Sequence, residues 1–162
     1  MKERIIRFRA WVNDITFLRN WNSNITKKMF DVKSIDFIEK TITILNPNKA
    51  RSNFIMSIED VKLIQFTGLK DKKGKDIYEG DILKQGEGEH ETLIEVRFGD
   101  GTFDSETYHF TGFYGVYLKI GFGGGFKKGD LCEDMDEITK NECDRREVIG
   151  NIYENPELLE EK

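Results

Sequence analysis

The alternation of apolar and polar positions along the chain predicts many short β-strands. From Arg4 to Trp11, Ile6, Phe8 and Ala10 recur at every second position, which is the period of a strand with one buried face. Runs of β-branched residues recur at short intervals and Pro is scarce, which favours strands over helices. The same pattern predicts strands over residues 29–38, 40–45, 54–56, 94–98, 108–114, 116–120 and 147–153.

The stretch from Ile64 to Leu83 has the most distinctive local pattern and predicts a strand, a tight polar turn and a second strand. Its segment 70–75, Lys-Asp-Lys-Lys-Gly-Lys, has the composition of a hairpin connection. Gly74 and Gly80 are predicted to hold backbone conformations that a Cβ atom would penalise. We expect the rest of the chain to be organised around this unit.

Glycine also marks a turn in the C-terminal half of the chain. Gly99-Asp100-Gly101 directly follows the predicted strand 94–98 and is the strongest hairpin signal in the sequence. Short strands spaced as they are here are typical of a small barrel or sandwich. In the strand 116–120, Val116, Leu118 and Ile120 are predicted to face inward, and Tyr117 and Lys119 outward.

The remaining segments predict loops and very short helices. Residues 20–28 form a polar loop, and the weak capping box at 57–60 predicts at most one helical turn. The glycine-rich segment 121–129 and the acidic segment 130–144 are predicted to form one exposed, mobile loop. A short terminal helix is predicted over residues 155–159, with Asn155 as its N-cap and Pro156 in its first position. Leu158 and Leu159 would pack this helix against the rest of the protein.

Charge is distributed unevenly along the 162 residues. The net charge is −5, yet residues 1–28 carry seven bases and two acids, which leaves −10 on the remainder. An acidic body disfavours non-specific binding of nucleic acid, so only the N-terminal end could supply a basic footprint. No apolar run approaches the roughly 20 residues of a membrane span, and no signal-peptide pattern follows Met1. The expected compartment is the cytoplasm of the host cell, without membrane association.

Two groups of residues are candidate binding sites. Arg7, Arg9 and Trp11 share one face of the first strand and could stack on bases or hold phosphates. Alternatively, the indole covers the sheet while the arginines pair with the acidic body. Aromatic residues next to a flexible loop can line a peptide or nucleic-acid groove, although such residues more often belong to a core. This second group is Tyr108, Phe110, Phe113 and Tyr114.

Catalytic and metal signatures are weak throughout. The glycine run lacks the Lys-Ser/Thr of a P-loop and the spacing of a dinucleotide fingerprint. The acidic segment lacks the ligand spacing and central glycine of a calcium loop. Cys132 and Cys143 have no nearby histidine and are expected to be reduced thiols. Neither His90 nor His109 adjoins a nucleophile in sequence, so catalysis would require a partner brought close by folding. We expect no enzyme activity, no metal and no cofactor.

Three stretches of the sequence resemble the YopX-type proteins of bacteriophages and prophages, chiefly of Gram-positive hosts. They are Ile6–Trp11; Gln65–Asp71 together with Gly74–Ile82; and Val148–Leu159. The sequence departs from that pattern in residues 12–26 and 103–143. The resemblance implies a mainly β protein whose C-terminal part is a small SH3-type barrel, and it carries over no catalytic residue. Its structural motif residues here are Thr67, Gly68, Gly80, Asp81, Gly150, Asn155 and Pro156.

These observations together predict a mainly β protein with an N-terminal β subdomain over residues 1–53. Residues 54–162 would form the SH3-type barrel, closed by the short terminal helix. Small barrels of this kind usually bind rather than catalyse. The expected function is a non-catalytic phage or prophage accessory protein that binds a host or phage protein; the alternative is nucleic-acid binding by the N-terminal strand. Exposed strand edges would also permit homo-oligomers.

Overall fold

A computed structural model describes residues 5–49, 51–103, 108–121, 125–132 and 145–160 and confirms a mainly β protein. The described residues include one α-helix, α1 (Thr16–Trp21). The strands are β1 (Phe8–Val12), β2 (Met29–Asp36), β3 (Thr41–Ile44), β4 (Phe54–Ser57), β5 (Val61–Lys70), β6 (Asp76–Tyr78), β7 (Asp81–Gln85), β8 (Thr92–Phe103), β9 (Tyr108–Lys119), β10 (Leu131–Cys132) and β11 (Glu147–Asn151). The pairs β1–β2, β1–β5, β2–β3, β3–β4, β7–β8, β7–β11, β8–β9 and β9–β10 are antiparallel.

The chain divides into two compact units, Met1–Phe66 and Thr67–Lys162. The boundary expected from the sequence lies earlier, after Asn53. Strand β4 pairs with β3 across the whole of its length, and the first half of β5 pairs with β1, from Val61 opposite Val12 to Gln65 opposite Phe8. These hydrogen bonds tie residues 54–66 to the N-terminal strands, and the division falls inside β5.

The first unit is built on strands in the order β4-β3-β2-β1-β5. Alternate residues of these strands point to one side, where Leu18 of α1 covers them. The face predicted for the first strand is the buried one, since Ala10 and Val12 are fully buried, but Ile6 precedes β1 and is exposed. The buried core consists of Ala10, Val12, Ile15, Leu18, Ile25, Phe30, Ile42, Ile44 and Phe54.

Helix α1 was not expected from the sequence, which predicts a polar loop from Asn20. Hydrogen bonds from the side chain of Thr16 and from its backbone N–H, which lies 2.8 Å from Oδ1 of Asp14, lower the pKa of Asp14. Leu18 is fully buried. A helix of six residues spans less than two turns, so its apolar positions are too few to show a helical period.

The second unit contains a five-stranded sheet in the order β10-β9-β8-β7-β11. Among the described residues its two edge strands do not pair with each other, so the sheet is open rather than a closed barrel. Tyr117 is buried in this core, which corrects the outward orientation predicted for it, because both sides of β9 are covered at this level. The core consists of Ile77, Leu83, Ile94, Val96, Tyr117, Cys132 and Val148.

The predicted hairpin at Gly99–Gly101 is wrong, because β8 continues straight through these residues. Gly99 lies opposite Gly112 and Gly101 lies opposite Phe110, and the pairing extends to Phe103 opposite Tyr108. The connection between the two strands, residues 104–107, lies outside the described residues. Cross-strand partners, which the local sequence does not reveal, keep the glycines extended.

The predicted loop over 121–144 is interrupted by ordered structure. Strand β10 pairs with β9 at Val116 and Gly115, and Cys132 is fully buried. Residues 122–124 and 133–144, including Cys143, lie outside the described residues. Part of this segment is thus an edge of the sheet.

Local turn chemistry was predicted more accurately. Gly74 and Gly80 have φ angles of +80° and +76°, as expected. A single 3₁₀ turn covers Ile58–Asp60, with Oγ of Ser57 accepting from the N–H of Glu59. The predicted terminal helix is only the 3₁₀ turn Pro156–Leu159, and Asn155 does not cap it with its side chain.

Candidate functional site

The structural motif residues of the family resemblance form part of the scaffold of the second unit. The hydroxyl of Thr67 donates to the carbonyl of Ile77 at 2.8 Å, and Oδ2 of Asp81 accepts from the N–H of Tyr78 at 2.9 Å. Gly68 has a φ of +92°, and a Cβ atom on Gly150 would lie 2.5 Å from Oδ1 of Asn155. Pro156 opens the terminal 3₁₀ turn. These motif residues hold strands and turns in place.

The side chain of Asp71 is a further part of that scaffold. Its carboxylate is buried and accepts from the N–H groups of Lys73 and Lys75 at 2.8 Å and of Val148 at 3.0 Å. Burial by itself would raise the pKa of Asp71, but these backbone hydrogen bonds outweigh it and hold the pKa below its ordinary value. The carboxylate thereby fastens the turn after β5 to strand β11.

The four candidate aromatic residues on β9 do not form one cluster. Phe110 and Tyr114 share one face, with ring centroids 5.5 Å apart in an edge-to-face arrangement. Phe113 points to the opposite face, where it contacts Phe98 at 5.0 Å and packs against the core. The backbone of Tyr108 belongs to β9, but its side chain lies outside the described part. Phe110 and Tyr114 are the pair that can act together.

Each of these two rings lies over a glycine of the neighbouring strand. Phe110 covers Gly101 so closely that a Cβ atom there would overlap the ring, and Tyr114 lies 4.0 Å from the corresponding position on Gly99. The glycines let the aromatic side chains lie down on the sheet. Both rings are half-buried as a result, which fixes their positions while leaving one face of the pair accessible.

Arg97 lies directly opposite Tyr114 and continues this surface. Its guanidinium donates to Oε2 of Glu95 at 2.7 Å, and this hydrogen bond raises the pKa of Arg97. Glu95 is buried, whereas Arg97 is substantially exposed. Burial, together with the charges of Glu79 and Glu95, raises the pKa of Tyr153.

We call Arg97, Phe110 and Tyr114 the aromatic face. The sequence does not identify Arg97 as a member, because only the cross-strand register places it there.

The N-terminal candidates are engaged within the first unit. The guanidinium of Arg7 lies 4.1 Å from the ring centroid of Phe66, and Nε of Arg9 lies 3.7 Å from a carboxylate oxygen of Asp31. Nζ of Lys28 lies 5.6 Å from the ring of Trp11. Arg9 and Trp11 share a face of β1, as alternation requires. The ion pair to Asp31 matches the alternative in which an arginine pairs with an acidic group of the protein.

Comparison with known proteins places this architecture in a family. Residues 7–160 match the family model described as YopX protein. The chain belongs to the YopX family. A solved structure, the crystal structure of protein EF1440 from Enterococcus faecalis, is 25% identical and aligns with 98% of this chain and 100% of that one, with a TM-score of 0.49. A search of curated proteins found no match.

In this YopX-family chain the two histidines lie on separate elements. His90 ends an exposed 3₁₀ turn (Gly88–His90), and Nδ1 of His109 is 3.3 Å from Oγ1 of Thr102 on β8. Within the described ranges no cluster of three or more His, Cys, Asp and Glu side chains could hold a metal ion. No helix in the same ranges is long and apolar enough to cross a membrane.

Sequence reasoning also missed an apolar surface on the first unit. Phe17 and Trp21 of α1 are exposed, with ring centroids 6.4 Å apart, and Ile55 of β4 is exposed beside them. All three line one cleft of about 680 Å³. Their only signal in the sequence is their apolar character, with Trp21 inside the predicted polar loop and Ile55 inside a predicted strand.

Proposed function

We propose that this YopX-family protein is a non-catalytic binding module that captures a host or phage protein through its aromatic face. The observation that carries the proposal is the pairing of the Phe110 and Tyr114 rings beside the exposed guanidinium of Arg97. Tyrosine, phenylalanine and arginine are enriched in protein interfaces, and tyrosine and arginine in their energetic hot spots.

The aromatic face is also pre-organised for binding. The glycines beneath the rings let them lie close to the sheet, and the hydrogen bond that Arg97 donates to Glu95 restrains the guanidinium. A surface that is ordered before the partner arrives loses less conformational entropy on association. The strand-built face therefore supports recognition of a folded protein or peptide better than it supports a reaction.

The finer assignments belong to the same proposal. We assign the second unit to the SH3-type small barrels because of the family resemblance. Its described strands would be the open part of such a barrel sheet. The exposed positions of His90 and His109 support a protein without catalytic activity. Its place of action is then the cytoplasm of the bacterial host, where its partner would be found.

Replacing Tyr114 with alanine should weaken partner binding about tenfold, because it removes one ring of the pair and one neighbour of Arg97. The partner is first captured with the full-length chain from phage-infected host lysate, with nuclease treatment. The dissociation constant of the purified partner is then measured by calorimetry for the wild type and for Tyr114→Ala.

Phe98→Ala is the matched control for this variant. Phe98 lies on the same hairpin and is 45% exposed, but it points to the opposite face. It should leave the dissociation constant unchanged. The proposal fails if both variants weaken binding equally, or if Tyr114→Ala lowers the melting temperature enough to show that the ring is needed mainly for stability.

Nucleic-acid binding by the N-terminal strand is the second candidate, and the cations around Trp11 favour it. Lys28 lies near the ring, Lys62 is opposite Trp11 on β5, and Arg9 is two positions away. If these residues hold phosphates, the affinity for a single-stranded oligonucleotide should fall with salt with a log–log slope of about −2. Fluorescence anisotropy from low to high salt measures this slope.

The double variant Arg9→Gln, Lys28→Gln should reduce that slope, whereas Lys33→Gln, Lys49→Gln supplies a control with the same change in charge elsewhere. Binding that is absent at low salt would exclude this candidate. Equal losses in the two double variants would show that only overall charge matters.

A further inference from the structure

The sheet of the first unit has a free edge at β4. In the described part of the chain β4 is the last strand on that side. The N–H of Ile58 donates to the carbonyl of Lys40 at 2.9 Å, so the backbone groups of even-numbered residues point toward β3. Backbone direction alternates along a strand, and the N–H and C=O groups of Ile55 and Ser57 therefore point away from the sheet.

An apolar groove runs beside this edge. Ile55 is 66% exposed, and the helix side chains Phe17 and Trp21 are 51% and 67% exposed. Phe17 and Ile55 line both the cleft of about 680 Å³ and a second cleft of about 590 Å³. The two clefts thus meet at these side chains. Exposed apolar side chains beside an uncovered strand edge are typical of an interaction surface.

The two ends of the groove carry opposite charges. Arg51 lies at the end that also contains Trp21. Asp14, Glu59 and Asp60 lie at the other end. A surface with a basic end, an apolar centre and an acidic end is complementary to itself after rotation by 180°. The charge pattern therefore specifies the occupant, which must present the same sequence of charges in reverse.

We infer that a second copy of this chain binds the groove by antiparallel pairing of the two β4 strands. The outward-pointing backbone of Ile55 permits a register in which Ile55 meets Ile55 on the two-fold axis. Arg51 precedes β4 and Glu59 lies in the 3₁₀ turn after it, each four residues from Ile55, so the two-fold axis brings the Arg51 end of one groove to the Glu59 end of the other. Phe17 and Trp21 of both copies then flank the paired strands. This interface lies in the first unit and is separate from the proposed partner-binding surface.

Sedimentation equilibrium of the full-length chain tests the inference. The wild type should dimerise with a dissociation constant on the order of 10 μM, as suits a short interface. Arg51→Glu and Glu59→Arg should each weaken the dimer about fivefold or more, because each places like charges together. The double variant Arg51→Glu, Glu59→Arg should restore the wild-type constant, since the pair is re-formed in reverse.

Ile55→Lys should weaken the dimer about a hundredfold, because two lysines would meet on the axis. Ile38→Lys is its control: Ile38 is 90% exposed in the turn after β2 and should have no effect. If Ile55→Lys does not fold, as judged by circular dichroism, the exposed Arg51 and Glu59 variants decide the question. A wild type that stays monomeric at about 500 μM, or a double variant that does not recover, would overturn the inference.

Discussion

Asp71→Ala is expected to lower the free energy of unfolding of the second unit by about 3–5 kcal/mol. Three backbone N–H groups, of Lys73, Lys75 and Val148, would lose their charged acceptor. The hydrogen bond to Val148 is buried, so water cannot fully replace the carboxylate there. Urea unfolding followed by fluorescence measures the loss. A change below about 1 kcal/mol would show that the carboxylate is not the main link between the turn and β11.

Asp71→Asn separates the charge from the shape. The amide keeps one acceptor oxygen, so we expect a smaller loss, about half that of alanine. Because the pKa of Asp71 is lowered in the folded protein, its contribution is fully present above its unfolded pKa of about 3.9 and is lost as the pH falls through the folded value. The difference in stability between wild type and Asp71→Asn should therefore be constant from pH 7 to about pH 5 and should shrink in stronger acid. A difference that does not change with pH would contradict the assignment.

Gly121→Ala is expected to lower the free energy of unfolding of the second unit by about 2–3 kcal/mol. A Cβ atom at Gly121 would meet backbone atoms of His90, among them Cα at 2.7 Å. Backbone cannot rotate aside as a side chain can, so the turn Gly88–His90 would have to move. That movement would also disturb the hydrogen bond from the N–H of Gly121 to Oγ1 of Thr92. Thermal unfolding of the variant measures the effect.

Gly125→Ala is the control within the same glycine-rich segment. No heavy atom lies within 4 Å of the position that its Cβ would occupy. We expect its melting temperature to equal that of the wild type within about one degree, because most exposed substitutions cost less than 0.5 kcal/mol. Equal losses in the two variants would mean that the glycines act through chain flexibility and not through the contact with His90.

The parts of the fold that the sequence predicted correctly depend on neighbours in the chain. The β2 and β3 strands, the turn glycines Gly74 and Gly80, and the single turn after Ser57 are each specified by residues within a few positions. Alternation and turn chemistry act at that range. The resemblance identified the YopX family, and the match over residues 7–160 confirms that family.

The errors arose where distant residues decide the conformation. Gly99–Gly101 has the composition of a turn, but pairing with β9 keeps it extended and places Phe110 over Gly101. Alternation predicts an outward-facing Tyr117 if only one face of its strand is buried. In the structure the core of the second unit covers Tyr117 as well. Helix α1 is stabilised by burial of Leu18 in the first unit and has too few residues to show a period.

The candidate site was predicted only in part for the same reason. Aromatic residues on β9 could be identified from the sequence, but their division between two faces depends on the strand register. Arg97 lies beside this aromatic pair, Phe110 and Tyr114, because β8 pairs with β9, and not because the three residues are close in sequence. The groove beside β4 depends on which strand ends the sheet, and hydrogen bonds among strands far apart in sequence settle that.

The hydrogen bond between Asp71 and Val148 joins residues 77 positions apart in the sequence. This separation affects how the chain folds during its synthesis. The ribosome releases the turn after β5 long before it releases β11. During that interval the edge of β7 that β11 later covers, at Ile82 and Leu83, is open to pairing with other nascent chains. The nascent chain is therefore prone to aggregation until β11 emerges from the ribosome. Chaperones that bind extended apolar segments would act in that period.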